Sequence, residues 1–91
     1  MNMNELKQDA LASLKELLPD YDDSDECINE IADGQVPIYY SDMADMLADD
    51  PELGFPDDDW CGHAKSTAFD IIAWNIYNEL VQYLYEELDN I

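Results

Sequence analysis

The stretch from Ser66 to Leu88, STAFDIIAWNIYNELVQYLYEEL, decides the fold. Phe69, Ile72, Ile76, Leu80 and Tyr83 recur every three or four residues, and Ile71, Trp74, Tyr77, Val81, Tyr85 and Leu88 form a second stripe. That period predicts one long α-helix, because positions three and four apart share a helical face. At 1.5 Å per residue the helix spans roughly 35 Å. A helix apolar on more than one side has to be covered. The cover comes either from the rest of the chain or from a second copy in a dimer, and periodicity alone leaves both readings open.

Upstream, Leu6, Ala10, Leu14, Leu17 and Leu18 predict a first helix over about Asn4 to Leu18, stopped by Pro19. Asp20 to Asp25 form an acidic connector. Asp23, with Glu26 three residues on, has the pattern of a capping box for a short second helix starting at Asp23 or Ser24. Ile28 and Ile31 supply its buried face, and Gly34 is its expected terminator. Pro37 suits the first turn of a third helix, about Pro37 to Ala48. Tyr39, Tyr40, Met43, Met46 and Leu47 give that helix an apolar side, with Asp42, Asp45 and Asp49 on another. Asp49 to Trp60 reads as a loop with room for one helical turn, since it holds Pro51, Gly54 and Pro56. The expected fold class is all-α: a single domain over residues 1–91 of about four helices, the last the longest, assembling as a homodimer.

Composition constrains function more sharply. Twenty-three Asp and Glu stand against three lysines and no arginine, for a formal charge of -20. Solubility of a small domain needs only about 2–8 charges of one sign. The chain nevertheless folds, for it is 47% hydrophobic with six Tyr, two Trp and two Phe, unlike a disordered acidic tail. None of Lys7, Lys15 and Lys65 has an acid three or four positions away. Like-charged neighbours abound instead: Glu26 with Glu30, Glu30 with Asp33, Asp42 with Asp45, Asp45 with Asp49. Each such pair costs up to about 0.5 kcal/mol in a helix. Glu86, Glu87 and Asp89 also crowd a helix C-terminus, where the macrodipole disfavours anions. Folding alone would not place the acids there.

A duplex carries one phosphate charge per ~1.7 Å of axis, so the acids match roughly 11–12 base pairs, about 40 Å of DNA. The candidate phosphate-mimicking carboxylates are Asp22, Asp23, Asp25, Glu26, Glu30, Asp33, Asp42, Asp45, Asp49, Asp57, Asp58, Asp59, Glu79, Glu86 and Glu87. A polyanion is repelled by nucleic acid and by anionic membrane, so the partner should be a basic protein. The first residues lack a basic, then apolar, leader pattern, and no run reaches the ~20 apolar residues of a membrane span. A cytoplasmic protein is expected.

Other chemistry is poorly supported. Asp20 to Ile31 and the Asp57-Asp58-Asp59 loop lack the glycine and terminal glutamate of a calcium loop. Cys61 and His63 with distant Cys27 lack paired zinc-ligand spacing. Cys27 and Cys61 are expected as buried thiols. With one histidine in the chain, no nucleophile–base pair can be argued for Cys61 or Ser66. No catalytic residue, metal or cofactor is expected. Tyr39 and Tyr40 read as core residues whose hydroxyls reach the surface, with partner contact as the alternative.

The segment Ile31-Ala32-Asp33-Gly34-Gln35-Val36-Pro37-Ile38-Tyr39-Tyr40-Ser41-Asp42 resembles the Ocr family of phage anti-restriction proteins. That family has a similar Ala-Asp, Val-Pro and Tyr-Tyr pattern followed by Asp and an apolar helix. Ile76-Tyr77-Asn78-Glu79-Leu80 is similar to its Ile-Tyr-Glu-Gln-Leu. The likeness extends over about residues 20 to 88. It implies an all-helical homodimer that imitates bent B-form DNA and fills the DNA groove of type I restriction-modification enzymes or related defence systems. Asp33 and Asp42 carry over as phosphate mimics. Met43, Ala44, Leu47 and Ala48 become the expected dimer interface, with Ala44 standing where the family has an aromatic residue. The chain is also shorter at its start and lacks the family's long acidic C-terminal tail.

Two other readings compete. Colicin DNase immunity proteins are also small, acidic and helical with paired tyrosines, so an immunity or antitoxin-like protein neutralising a basic nuclease or toxin is the alternative. An acidic scaffold or halophile protein is the third, and it predicts unfolding at low salt.

Overall fold

The computed structural model describes residues 2–55 and 68–91. Helix α1 runs Met3–Leu17, α2 Ser24–Gln35, α3 Tyr40–Asp49 and α4 Ala68–Leu88, with 3-10 turns at Leu18–Asp20 and Pro51–Gly54. No strand occurs among the described residues. The fold class is all-α, as the sequence predicts.

Helix α4 is the spine, packing on α1, α2, α3 and the Pro51–Gly54 turn. Its face Ile72, Ile76, Leu80 and Leu84 is buried, one residue per turn. Leu6, Ala10 and Leu14 of α1 meet it at the same spacing, joined by Cys27, Ile28, Ile31 and Ala32 of α2 and by Met43 and Met46 of α3. Such rows of residues four apart are the ridges by which helices interdigitate. The second stripe of α4 is only half-covered: Ile71, Trp74, Tyr77, Val81 and Leu88 are half-buried and Tyr85 is exposed. The chain thus encloses one face of its longest helix and shields the other partly.

Helix boundaries differ from the sequence expectation where backbone chemistry outranks glycine. Gly34 lies inside α2, and no glycine among the described residues has a positive φ. What ends α2 is Pro37: the residue before a proline is pushed out of the helical region, and Val36 has ψ 124°. Pro37 is buried and precedes α3, which starts at Tyr40 with Tyr39 as its N-cap. Asp23 does cap α2, but its side chain accepts from Asp25 N at 2.9 Å, one residue short of the reciprocal capping-box contact. Asn2 caps α1 by accepting from Glu5 N at 2.9 Å. The described part of the expected loop after α3, up to Phe55, holds one 3-10 turn, and its remainder to Trp60 lies outside the described residues. Ser66 and Thr67, the expected start of α4, lie outside the described residues.

Candidate functional site

The acids are presented, not sequestered. Asp57, Asp58 and Asp59 lie outside the described residues, and none of the other acids is buried. The body that carries them measures 39 × 26 × 19 Å. Its long axis is of the same order as the roughly 40 Å of duplex whose phosphates the 23 acids match in number.

Helix α2 and its approach hold the densest group. Asp22, Asp23, Asp25, Glu26, Glu30 and Asp33 are all exposed. Three tyrosines from flanking elements bond to this helix. Tyr21, just after the first 3-10 turn, donates its hydroxyl to Glu30 Oε2. From α4, the Tyr85 hydroxyl donates to Asp25 Oδ1 at 2.8 Å, and the Tyr77 hydroxyl lies 3.0 Å from Asn29 Oδ1. The bond to Glu30 pushes the Tyr21 phenol up to about 12, with partial desolvation and neighbouring acids adding to it. The bond to Asp25 raises Tyr85 in the same way.

Elsewhere the acids are looser or more enclosed. Asp45 and Asp49 of α3 are exposed and Asp42 is half-buried. On α4, Glu86 is exposed and Glu87 half-buried, while Glu79 sits in a cleft of about 480 Å³ with Glu52, Asn75, Asn78 and Gln82. Burial raises the Glu79 carboxyl; Lys7 pulls it back, and Asp50 and Glu52 push it up. Lys7 also stands 5.7 Å from the Tyr83 ring centroid, a cation over an aromatic face. Glu79 is therefore among the less accessible of the described acids.

Two sequence expectations about α3 need correction. Tyr39 and Tyr40 are 65% and 78% exposed. They are not core residues, because the helix begins at Tyr40 and the chain leaving buried Pro37 carries both rings outward. Tyr40 contacts Phe69 edge-on, with ring centroids 4.9 Å apart. Of the expected dimer residues, Met43 is 2% exposed and belongs to the protomer's own core, and Leu47 packs against that core. Ala44 and Ala48 do face outward. Met43 lies one turn from Leu47 and Met46 three residues on, so these three apolar side chains of α3 turn inward together while Tyr40 stays exposed.

Cys27 is fully buried, and burial pushes its thiol up. Cys61, His63 and Ser66 lie outside the described residues. Among the described residues no three His, Cys, Asp or Glu side chains are grouped to hold a metal ion, and no helix is long and apolar enough to cross a membrane. The tyrosine donors were not foreseen as part of the site. Tyr21 among acids at 20–26 was the one signal on offer, but pairings over 9 to 60 residues of separation are set by packing.

A family model described as "DNA mimic ocr" matches residues 1–91, the whole chain. No curated protein and no solved structure matches it.

Proposed function

The chain belongs to the DNA mimic ocr family, and from that premise we propose that it occupies the DNA-binding groove of a host defence enzyme, a type I restriction-modification system first among them. One observation carries the reading: none of the described acids is buried, and they are spread over a body 39 Å long, the same order as the roughly 40 Å of duplex that the chain's 23 acids match in charge. A basic groove filled by this surface releases the counterions of both partners, as it does with DNA. The phosphate-mimicking surface is centred on α2, at Asp22, Asp23, Asp25, Glu26, Glu30 and Asp33, and continues through Asp42, Asp45 and Asp49. Glu86, Glu87 and the Asp57–Asp59 segment extend it, with Glu79 at its margin. Ala44 and Ala48, small and outward, suit close approach of α3 to its copy in a homodimer.

The test is competition. Purified type I restriction-modification enzyme should bind the protein, release it to excess duplex DNA, and bind it less tightly as salt rises. An enzyme that holds protein and DNA together defeats the proposal.

The exposure of Tyr39 and Tyr40 favours a second reading, an immunity-type protein whose affinity rests on a few aromatic anchors. Under it, Tyr39→Ala or Tyr40→Ala abolishes binding to a basic nuclease. Under the mimic reading the energy is spread, and single Asp→Asn changes at Asp42, Asp45 or Asp49 each weaken binding only slightly.

A further inference from the structure

A carboxylate meant to stand in for a phosphate faces a conflict. Fixing an exposed Asp or Glu side chain takes rotamer entropy, which binding must supply unless the free protein has already supplied it. The usual way to fix an acid is a lysine or arginine one turn away, and that neutralises the charge the surface needs. A phenol resolves the conflict. Its O–H satisfies one carboxylate lone pair and leaves the full negative charge in place.

We propose that Tyr21 and Tyr85 are positioning residues that pre-organise Glu30 and Asp25 as fixed negative points on the surface offered to the target, an inference resting on the functional reading above. The two bonds reach α2 from different sides, Tyr21 from the residue just after the first 3-10 turn and Tyr85 from α4. Tyr77, two turns before Tyr85, holds Asn29 one turn after Asp25, so α2 and α4 are bonded at two levels. Asp25 and Glu30 are five residues apart, about 7.5 Å along the helix axis and about 140° around it, so the two bonds fix acids on different faces of α2. Both acids and Asn29 are exposed, so these bonds fix groups that a partner can touch. The raised phenols keep their protons throughout the neutral range, which keeps the donors in place.

The experiment uses the full chain with Tyr21→Phe, Tyr85→Phe, the double variant, and Tyr83→Phe as a control phenol that faces Lys7. Binding to purified type I restriction-modification enzyme is measured across salt concentrations, with thermal melts in parallel. Each clamp removal should weaken binding about 2–10-fold, the range expected from the rotamer freedom of one side chain. The dependence of log affinity on log salt should keep its slope, because no charge is lost. Glu30→Gln should lower that slope, and Tyr21→Phe added to Glu30→Gln should weaken binding no further. A purely structural role instead gives additive losses that follow the melting temperature. Wild type that binds while Tyr21→Phe and Tyr85→Phe bind equally well overturns the positioning role and leaves the functional reading standing. Wild type that does not bind the enzyme overturns both.

Discussion

Gly34 illustrates how one residue's role depends on its backbone. A glycine late in a helical pattern reads as a left-handed terminator, yet Gly34 stays inside α2, has no positive φ, and has nothing within 4 Å of where a Cβ would stand. Glycine in a helix interior costs roughly 0.5–1 kcal/mol relative to alanine. Gly34→Ala should therefore raise the melting temperature by about 2–8 °C for a domain of this size. A lower melting temperature would mean that α2 does end in a left-handed glycine. Glu79 makes a pH prediction. Its carboxyl is raised above the ordinary value of 4.5, chiefly by burial. Above that value the native state holds its proton more tightly than the unfolded chain does, so stability falls as pH rises through the window between the two. Glu79→Gln keeps the shape and removes the charge. Its stability relative to wild type should grow as pH climbs from 4.5 toward neutrality, and a gap that is constant with pH in melting curves would contradict this origin.

At the scale of elements, the Asn75 side chain of α4 clamps the Pro51–Gly54 turn beside the buried Leu53 anchor. Asn75 Nδ2 lies 2.7 Å from the carbonyl oxygens of both Leu53 and Phe55. Leu53 is 1% exposed, so its insertion depends on the turn staying docked. Asn75→Ala should cost about 1–3 kcal/mol in denaturant unfolding, the price of stranding a part-buried acceptor. Amide exchange at Phe55, whose N–H bonds Glu52 O at 3.1 Å, should accelerate ahead of the helices. Unchanged exchange there would show that Leu53 alone anchors the turn. Nothing local announces this clamp, whereas the helices themselves were legible. The rows Leu6-Ala10-Leu14 and Ile72-Ile76-Leu80 gave α1 and α4 directly, because burial follows the 3.6-residue period. The start of α3 was misread because Pro37 fits a helix N-terminus as well as it fits the buried extended link it forms. The acids of the candidate surface were legible as a set, since like-charge spacing is written in the chain. Their tyrosine donors were not, because a bond between Tyr85 and Asp25 exists only once α2 and α4 pack together.

For the whole molecule, a net charge of -20 ties stability and binding to salt with opposite signs. At 0.01 M salt the Debye length is about 30 Å, close to the longest dimension of the body, 39 Å. Nearly every acid then repels every other. At physiological ionic strength it shrinks to about 8 Å, leaving only neighbours one or two helical turns apart in contact. Screening the like-charge pairs along α2 and α3, at up to about 0.5 kcal/mol each, should raise the melting temperature by about 5–10 °C between those conditions. The same screening removes the attraction to a basic groove, so affinity for the target should fall over the same interval. The two curves must cross in sign because they share one cause: charge that opposes the compact state is the charge the partner reads. A protein whose acidity served only to keep it folded in brine would lose its structure at the low-salt end, where a mimic remains folded and binds most tightly. Melting curves and target affinity measured in one salt series separate the two, and an affinity that rises with salt would remove electrostatic mimicry as the basis of binding.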